Sequence, residues 1–172
     1  ALFGAPIPIL AGLGDQQSAL FGQGCFEKSQ AKCTYGTGAF ILSNIGEKPL
    51  LSESGLLTTV AWGLQGQTAY ALEGSIFMAG AVLQWLRDNL GLIRKAVDSE
   101  GLARSVPDTA GVYFVSSFQG LGAPWWENGR RASLYGLTRK TTAAHIVRAA
   151  LESVAYRVKD VMSAVEREMG VP

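Results

Sequence analysis

Residues 32–44 of the chain read KCTYGTGAFILSN, and this stretch sets the local fold. Residues 32–35 and 39–44 have the β-branched, aromatic and apolar composition of strands. Gly36-Thr37-Gly38 separates them, and glycine permits backbone torsions that a Cβ forbids. The stretch therefore predicts a β-hairpin with a tight turn that a ligand can approach closely.

Strand-like sequence continues on the C-terminal side of the hairpin. Residues 55–63 (GLLTTVAWG) and 68–72 are rich in β-branched and apolar residues, and Gln65-Gly66 predicts a turn between them. This succession predicts an antiparallel meander. From Ile76 to Leu90 the apolar residues recur at helical spacing, and Gly91 then closes the predicted helix.

The second half of the chain alternates between the two kinds of element. Residues 92–110 predict a small helix and a loop, and 111–118 and 132–137 predict strands on either side of a glycine-rich loop. Apolar residues recur every three or four positions after Thr142, which is a suitable N-cap for a long helix. The fold class predicted for the whole is α/β, of the mixed α+β kind.

Composition restricts the classes of function. The 172 residues are 48% hydrophobic and 17% charged, and the net charge is +1 without a Lys/Arg-rich stripe, so no nucleic-acid partner is expected. Residues 1–13 are apolar but too short for a membrane span, and no membrane insertion is expected. Cys25 and Cys33 are too few for a disulfide framework, which favours a reduced, cytoplasmic setting, although a bond between them stays open.

Two short motifs carry residues with chemical potential, and each has two interpretations. Asp15 follows Gly14 at the start of a small apolar segment, so it is either an N-cap or a base that accepts a proton from a hydroxyl held by a neighbouring amide. The turn Gly36-Thr37-Gly38 is either a plain hairpin turn or a cradle for phosphate oxygens. It has neither the Walker nor the Rossmann spacing.

The order and wording of the motifs along essentially the whole chain resemble the FGGY family of carbohydrate kinases, and within it the members that phosphorylate glycerol. The motifs are GDQQSALFGQ at 14–23, TYGTGAFIL at 34–42, GLLTTVAW at 55–62, YALEGSIFMAGAVLQWLRDNLG at 70–91, FQGLGAPWW at 118–126 and YGLTRKTTAAHIVRAALESVAY at 135–156.

The resemblance implies an actin-like, ribonuclease-H-like ATPase fold of two lobes, with the polyol and ATP between them. Residues 1–23 would then end the N-terminal lobe and carry the catalytic-base segment. Residues 24–172 would form part of the C-terminal, nucleotide-side lobe, ending before the adenine-binding loop. The chain lacks an initiator Met, and we expect it to be a piece of a longer protein that is inactive alone and self-associates.

The resemblance also implies roles for individual residues. On the substrate side, Asp15 is similar to the family's catalytic base, and Asp15, Gln16 and Phe40 to its polyol contacts. On the nucleotide side the matching positions are Gly36, Thr37, Gly80 and Gln84. Without the family, Gly80 would indicate close helix packing and Gln84 a solvated helix face. No metal ligand is assigned, and Mg²⁺ is expected to arrive with ATP.

Some positions depart from the family pattern, and two alternatives stay open. Cys33 stands where many relatives have Asn, Ser116-Ser117 where Pro-Ala is common, and Pro6 where some relatives have an Arg that binds fructose 1,6-bisphosphate. His145 indicates a helix start rather than a catalytic group. The alternatives are a sister kinase acting on a ketose or another polyol, and a non-catalytic actin-like binding module.

Overall fold

The computed structural model describes residues 2–170, which form a mixed α/β fold. The elements, numbered in chain order, are α1 (Asp15–Gly22), β1 (Ala31–Tyr35), β2 (Ala39–Gly46), β3 (Leu57–Leu64), β4 (Gln67–Ile76), α2 (Gly80–Asp88), α3 (Asp98–Arg104), β5 (Tyr113–Val115), β6 (Ser133–Tyr135) and α4 (Ala143–Met169). Strands β1 to β4 form one antiparallel sheet, and β5 pairs with β6 in a second.

The strand order of the large sheet is β1-β2-β4-β3, so the predicted meander is wrong. After β2 the loop 47–56 leads the chain to the outer edge of the sheet, where β3 forms. Strand β4 then lies between β2 and β3. Gln65 and Gly66 both have positive φ, as in a two-residue type I′ hairpin, and they fold β4 back along β3. Strands β2 and β4 are the two central strands of this sheet, and most of the buried residues of the sheet belong to them.

Helices cover both faces of the central strands. Alternate side chains of a strand point to opposite faces. On β2, Ile41 packs in a core cluster with Val161 and Val165 of α4, whereas Leu42 packs in a separate cluster with Leu20 of α1. The sheet therefore lies between α1 and α4 in three layers.

Helix α4 joins two cores. Its C-terminal half packs on the sheet, where Gly74 of β4 lies so close that an added Cβ would meet Val161 Cγ1 at 2.2 Å. Its N-terminal half packs with Val82 of α2 and Phe114 of β5 in a second cluster. One helix thus ties the large sheet to the smaller α/β part of the molecule.

Several element boundaries differ from the predicted ones. Asp15 is the first residue of α1 and Gly14 is the N-cap, so the N-cap assignment of Asp15 is wrong by one position. Ile76 ends β4 instead of starting a helix, because pairing with Ala39 of β2 continues to that residue. The predicted strands at 111–118 and 132–137 are confirmed only over three residues each.

Helix α4 begins as predicted. Thr142 is the N-cap of α4, and His145 lies in its first turn. Cys25 and Cys33 are free thiols, so the disulfide left open by the sequence is not formed. Within residues 2–170 there is no helix with the length and apolar character that a membrane crossing requires.

Candidate functional site

Asp15 and Gln16 begin helix α1 at the surface of the molecule. The Asp15 side chain is exposed, and its Oδ1 accepts a hydrogen bond from the backbone N–H of Gln16 at 2.8 Å. Gln16 Nε2 lies 3.5 Å from Asp15 Oδ2. A carboxylate at the positive end of a helix with an amide beside it has the groups needed to hold a hydroxyl and accept its proton.

Lys32 of β1 connects this helix start to the hairpin, and sequence reasoning did not single it out. The residue is buried at 7% exposure. Its ammonium donates hydrogen bonds to Gln16 Oε1, to Thr34 Oγ1 at 3.0 Å and to the Phe40 carbonyl at 3.3 Å. Lys32 therefore links the substrate-side residues Gln16 and Phe40, which come from different elements.

Burial lowers the pKa of Lys32, because removal from water disfavours the charged form. The negative charges that the thiolates of Cys33 and Cys25 and the carboxylates of Glu73 and Asp15 can carry oppose this effect. Asp15 is thus one of the charges that favour the protonated ammonium of Lys32.

Phe40 lies one strand away from Lys32, opposite Thr34 in the β1–β2 pairing. Its side chain is half-buried, so part of the ring remains available to a ligand. On the other side, Phe40 pairs with Ser75 of β4. The backbone of Phe40 is therefore held between two neighbouring strands. Through Lys32 the structure therefore links Gln16, with Asp15 beside it, to the backbone carbonyl of Phe40.

The glycine turn that follows β1 is held by the N-terminus of α2. Backbone N–H groups of Ala79 and Gly80 donate to the carbonyls of Thr37 and Gly36 respectively, both at 2.8 Å. The first N–H groups of a helix have no partner within the helix, so the turn supplies their acceptors. Gly36, Thr37 and Gly80, three of the predicted nucleotide-side residues, are thus in direct contact.

The same hydrogen bonds set the direction of the turn's own donors. In a planar trans peptide the C=O of one residue and the N–H of the next point in opposite directions. Because the Gly36 carbonyl points to α2, the Thr37 N–H points away from it, and the Gly38 N–H follows the same rule. Neither the amide nor the hydroxyl of Thr37 donates a hydrogen bond to another described residue. Free donors on an exposed residue of a glycine turn suit an anion.

Gly80 and Gln84 lie one turn apart on α2, but only Gly80 touches the hairpin. A Cβ on Gly80 would lie 2.6 Å from the Gly36 carbonyl oxygen, so this contact needs glycine. Gln84 is exposed. Beside Gly36 and Gly80 an open, mainly apolar groove of about 390 Å³ runs between α2 and α4, with Leu83 and Val154 in its wall.

Strand parity is the signal that would have found Lys32. The turn pairs Tyr35 with Ala39, so Lys32 falls opposite Leu42 on the same face of the hairpin. Leu42 packs against α1. A lysine on that face meets α1 as well. The packing of α1 over this face is a tertiary contact, which the sequence of the hairpin does not indicate.

Comparison with known proteins gives a consistent result. The C-terminal domain of the FGGY family of carbohydrate kinases matches residues 31–172. The glycerol kinase of Carboxydothermus hydrogenoformans is 60% identical over 169 residues, which cover 98% of this chain and 34% of that protein.

Solved structures agree. The crystal structure of Plasmodium falciparum glycerol kinase with ADP matches with a TM-score of 0.87 at 43% identity, over 93% of this chain and 32% of that one. Ligand-bound xylulose kinase from Lactobacillus acidophilus matches with a TM-score of 0.75 at 22% identity, over 88% of this chain and 30% of that one, which supports the fold alone.

The chain thus spans about a third of the length of the curated relatives that it matches. The mixed α/β structure has the actin-like fold of these kinases. Because the family's C-terminal domain matches well over half of the residues, the chain belongs to the FGGY family of carbohydrate kinases.

Proposed function

We propose that this chain is the part of an ATP-dependent glycerol kinase that carries the catalytic base and the phosphate-side hairpin. The reaction transfers the γ-phosphoryl group of ATP to a primary hydroxyl of glycerol and gives glycerol 3-phosphate. The observation that carries the proposal is the exposed Asp15 carboxylate, which stands beside Gln16, itself hydrogen-bonded by Lys32. The high identity to glycerol kinases over nearly the whole chain supports the choice of substrate.

On the substrate side, Asp15 acts as the general base and takes the proton of the attacking hydroxyl. Gln16 donates an amide N–H to the polyol, and the partly exposed ring of Phe40 lies against its carbon atoms. Phosphoryl transfer relies mainly on positioning and charge stabilisation. The hydrogen bonds from one buried lysine to Gln16 and to the Phe40 carbonyl therefore support a positioned polyol site.

On the nucleotide side, the amide and hydroxyl of the exposed Thr37 bind phosphate oxygens. Gly36 and Gly80 keep the turn and α2 close enough to hold these donors in place. Gln84 contacts the nucleotide from the exposed face of α2. The free donors of Thr37 fit phosphate oxygens of ATP. Magnesium would come with the nucleotide and would supply charge neutralisation for the transfer.

The remaining features of the proposal concern the setting of the protein. The free thiols of Cys25 and Cys33 favour the cytoplasm, and we propose a homo-oligomer there. The assignment of residues 1–23 to the end of an N-terminal lobe and of 24–172 to a C-terminal lobe stays a prediction.

The test uses a full-length kinase that contains this sequence. Asp15→Asn keeps the shape of the side chain but cannot accept the proton, so turnover should fall far below about a tenth of the wild-type value, in keeping with the loss of a general base. Glycerol binding, measured by calorimetry, should survive. Retention of a tenth of the turnover or more would contradict the role of Asp15.

A substrate panel tests the choice of glycerol. The wild-type kinase should prefer glycerol over ketoses and other polyols in kcat/KM. Preference for a ketose would identify a sister kinase instead. Absence of any phosphorylation, together with an Asp15→Asn variant that keeps the protein's function, would indicate a non-catalytic actin-like module.

A further inference from the structure

The ammonium of Lys32 is buried without a carboxylate partner. Its three hydrogen bonds go to neutral oxygens: Gln16 Oε1, Thr34 Oγ1 and the Phe40 carbonyl. None of the ion pairs formed among residues 2–170 includes it. An ammonium has three donors, so this set of acceptors satisfies every one of them. Burying a charge in this way is unfavourable unless its hydrogen bonds are complete.

This arrangement determines which way the Gln16 amide faces. A carboxamide has an acceptor oxygen at one end and two N–H donors at the other. The oxygen is taken by Lys32, and the nitrogen lies on the side of Asp15, 3.5 Å from its Oδ2. A reversed amide would direct its N–H donors at the ammonium, which has no acceptor to offer.

We propose that Lys32 is a positioning residue of the polyol site. It holds the Gln16 amide with its N–H donors toward the hydroxyl that Asp15 deprotonates, and it anchors Gln16 to the same hairpin that carries Phe40. Lys32 acts through Gln16 and does not itself touch the polyol. This inference rests on the proposed function of the site.

Magnetic resonance on the full-length kinase, with its glutamine side-chain amides isotope-labelled, tests the orientation without a measurement of activity. In the wild type we expect a nuclear Overhauser contact between the Lys32 ε protons and the Gln16 side chain, and Gln16 side-chain amide signals apart from those of exposed glutamines. Lys32→Met should move these signals to the exposed-glutamine region. Lys48→Met, on an exposed loop, should leave them unchanged.

Gln16 signals that are unaffected by Lys32→Met would overturn the proposal. Should the variant fail to fold, the wild-type spectrum decides, because absence of the contact between Lys32 and Gln16 would also overturn it.

Kinetics of the full-length kinase test the consequence. Lys32→Met should raise the KM for glycerol about tenfold, on the scale of one hydrogen bond to a charged group, while the KM for ATP stays the same. In a double-mutant cycle, Lys32→Met should add little to the effect of Gln16→Ala, because both remove the same interaction.

Fully additive effects, or equal changes in both KM values, would mean that Lys32 is only structural. An inactive wild type would instead sink the proposed function, and the resonance experiment would still decide the orientation of Gln16.

Discussion

Thr142 and His145 close the first turn of α4 through a hydrogen bond from the Thr142 backbone N–H to His145 Nδ1 at 3.1 Å. The histidine occupies the position that Glu or Gln takes in a capping box, where the side chain reaches back to the N-cap amide. This contact gives the single histidine of the chain a structural role at a helix end.

The first prediction compares two replacements of His145. His145→Gln retains an acceptor for the Thr142 amide, so the free energy of unfolding should change by less than about 0.5 kcal/mol, whereas His145→Ala should cost about 1 kcal/mol. Urea unfolding monitored by circular dichroism measures both. A selective loss of turnover in a well-folded His145→Gln kinase would reveal a catalytic role instead.

A second residue-scale prediction concerns Gly80. Its Cβ would lie 2.6 Å from the backbone oxygen of Gly36, so Gly80→Ala must move either the turn or the start of α2, and we expect a loss of about 1–3 kcal/mol in stability, as for overpacking. The matched control is Gly101→Ala in α3, where no atom lies within 4 Å and alanine should be neutral or stabilising.

Thermal unfolding of the two glycine variants distinguishes packing from simple helix propensity. Equal stabilisation of the two variants would show that the glycine turn and α2 can move apart to accept the methyl group without loss of stability. In the full-length kinase, Gly80→Ala should also weaken nucleotide binding, since it displaces the turn that carries Thr37.

Residue-level features were predictable to the extent that they depend on neighbours in the chain. The glycine turn at 36–38 and the cap at Thr142 follow from adjacent residues and are confirmed. Lys32 was missed because its role arises from contact with Gln16, which is 16 positions away on another element. The functional roles of all the site residues, Asp15 and Gln84 included, stay predictions.

At the scale of elements, short turns were easier to predict than strand order. Residues 65–66 form the expected turn, whereas the loop 47–56 lets β4 replace β3 beside β2. The sequence does not encode that choice locally, since any of these strands can pair with any other. Burial decides the strand order. The residues of β2 and β4 are mostly buried, so these strands need helices on both faces and a neighbouring strand on each edge.

The loop that permits this order is attached to the far end of α4. Glu168 Oε1 accepts hydrogen bonds from Ser52 Oγ at 2.7 Å and from the Ser54 backbone N–H at 2.6 Å. Burial by itself raises the pKa of Glu168, but the hydrogen bonds from Ser52 and Ser54 outweigh it, so the pKa lies below its ordinary value of 4.5.

The third prediction follows from the sign of that shift. A carboxylate whose pKa is lower in the folded state adds stability above its unfolded pKa of 4.5, and this stability is lost as the pH falls through the folded value. Glu168→Gln should therefore cost about 1 kcal/mol at neutral pH, allowing for solvent screening, and progressively less in acid.

Urea unfolding of wild type and Glu168→Gln, from neutral pH to below pH 4.5, measures the difference in the free energy of unfolding directly. Glu53→Gln, at an exposed position of the same loop, provides a control for the loss of a carboxylate as such. A difference between wild type and Glu168→Gln that is independent of pH would show that the carboxylate charge contributes nothing to the attachment.

At the scale of the whole molecule, the chain leaves much apolar surface and two strand edges uncovered. Leu2, Ile9 and Leu10 are exposed by 98%, 92% and 90% respectively. Strands β1 and β3 form the two edges of the large sheet among the described residues, and β3 exposes the apolar side chains of Leu57 and Val60. Uncovered edges and apolar patches promote association between chains.

The last prediction concerns the behaviour of the 172-residue chain by itself. Asp15 and Thr37 are exposed, and the chain spans about a third of the length of its relatives, while phosphoryl transfer needs positioning of both substrates at once. We therefore expect no measurable glycerol phosphorylation, weak or absent ATP binding and concentration-dependent self-association. A coupled ADP-release assay, calorimetry with Mg-ATP and light scattering measure the three properties. Robust turnover by a monodisperse monomer would contradict the prediction, because it would place a complete site within these 172 residues.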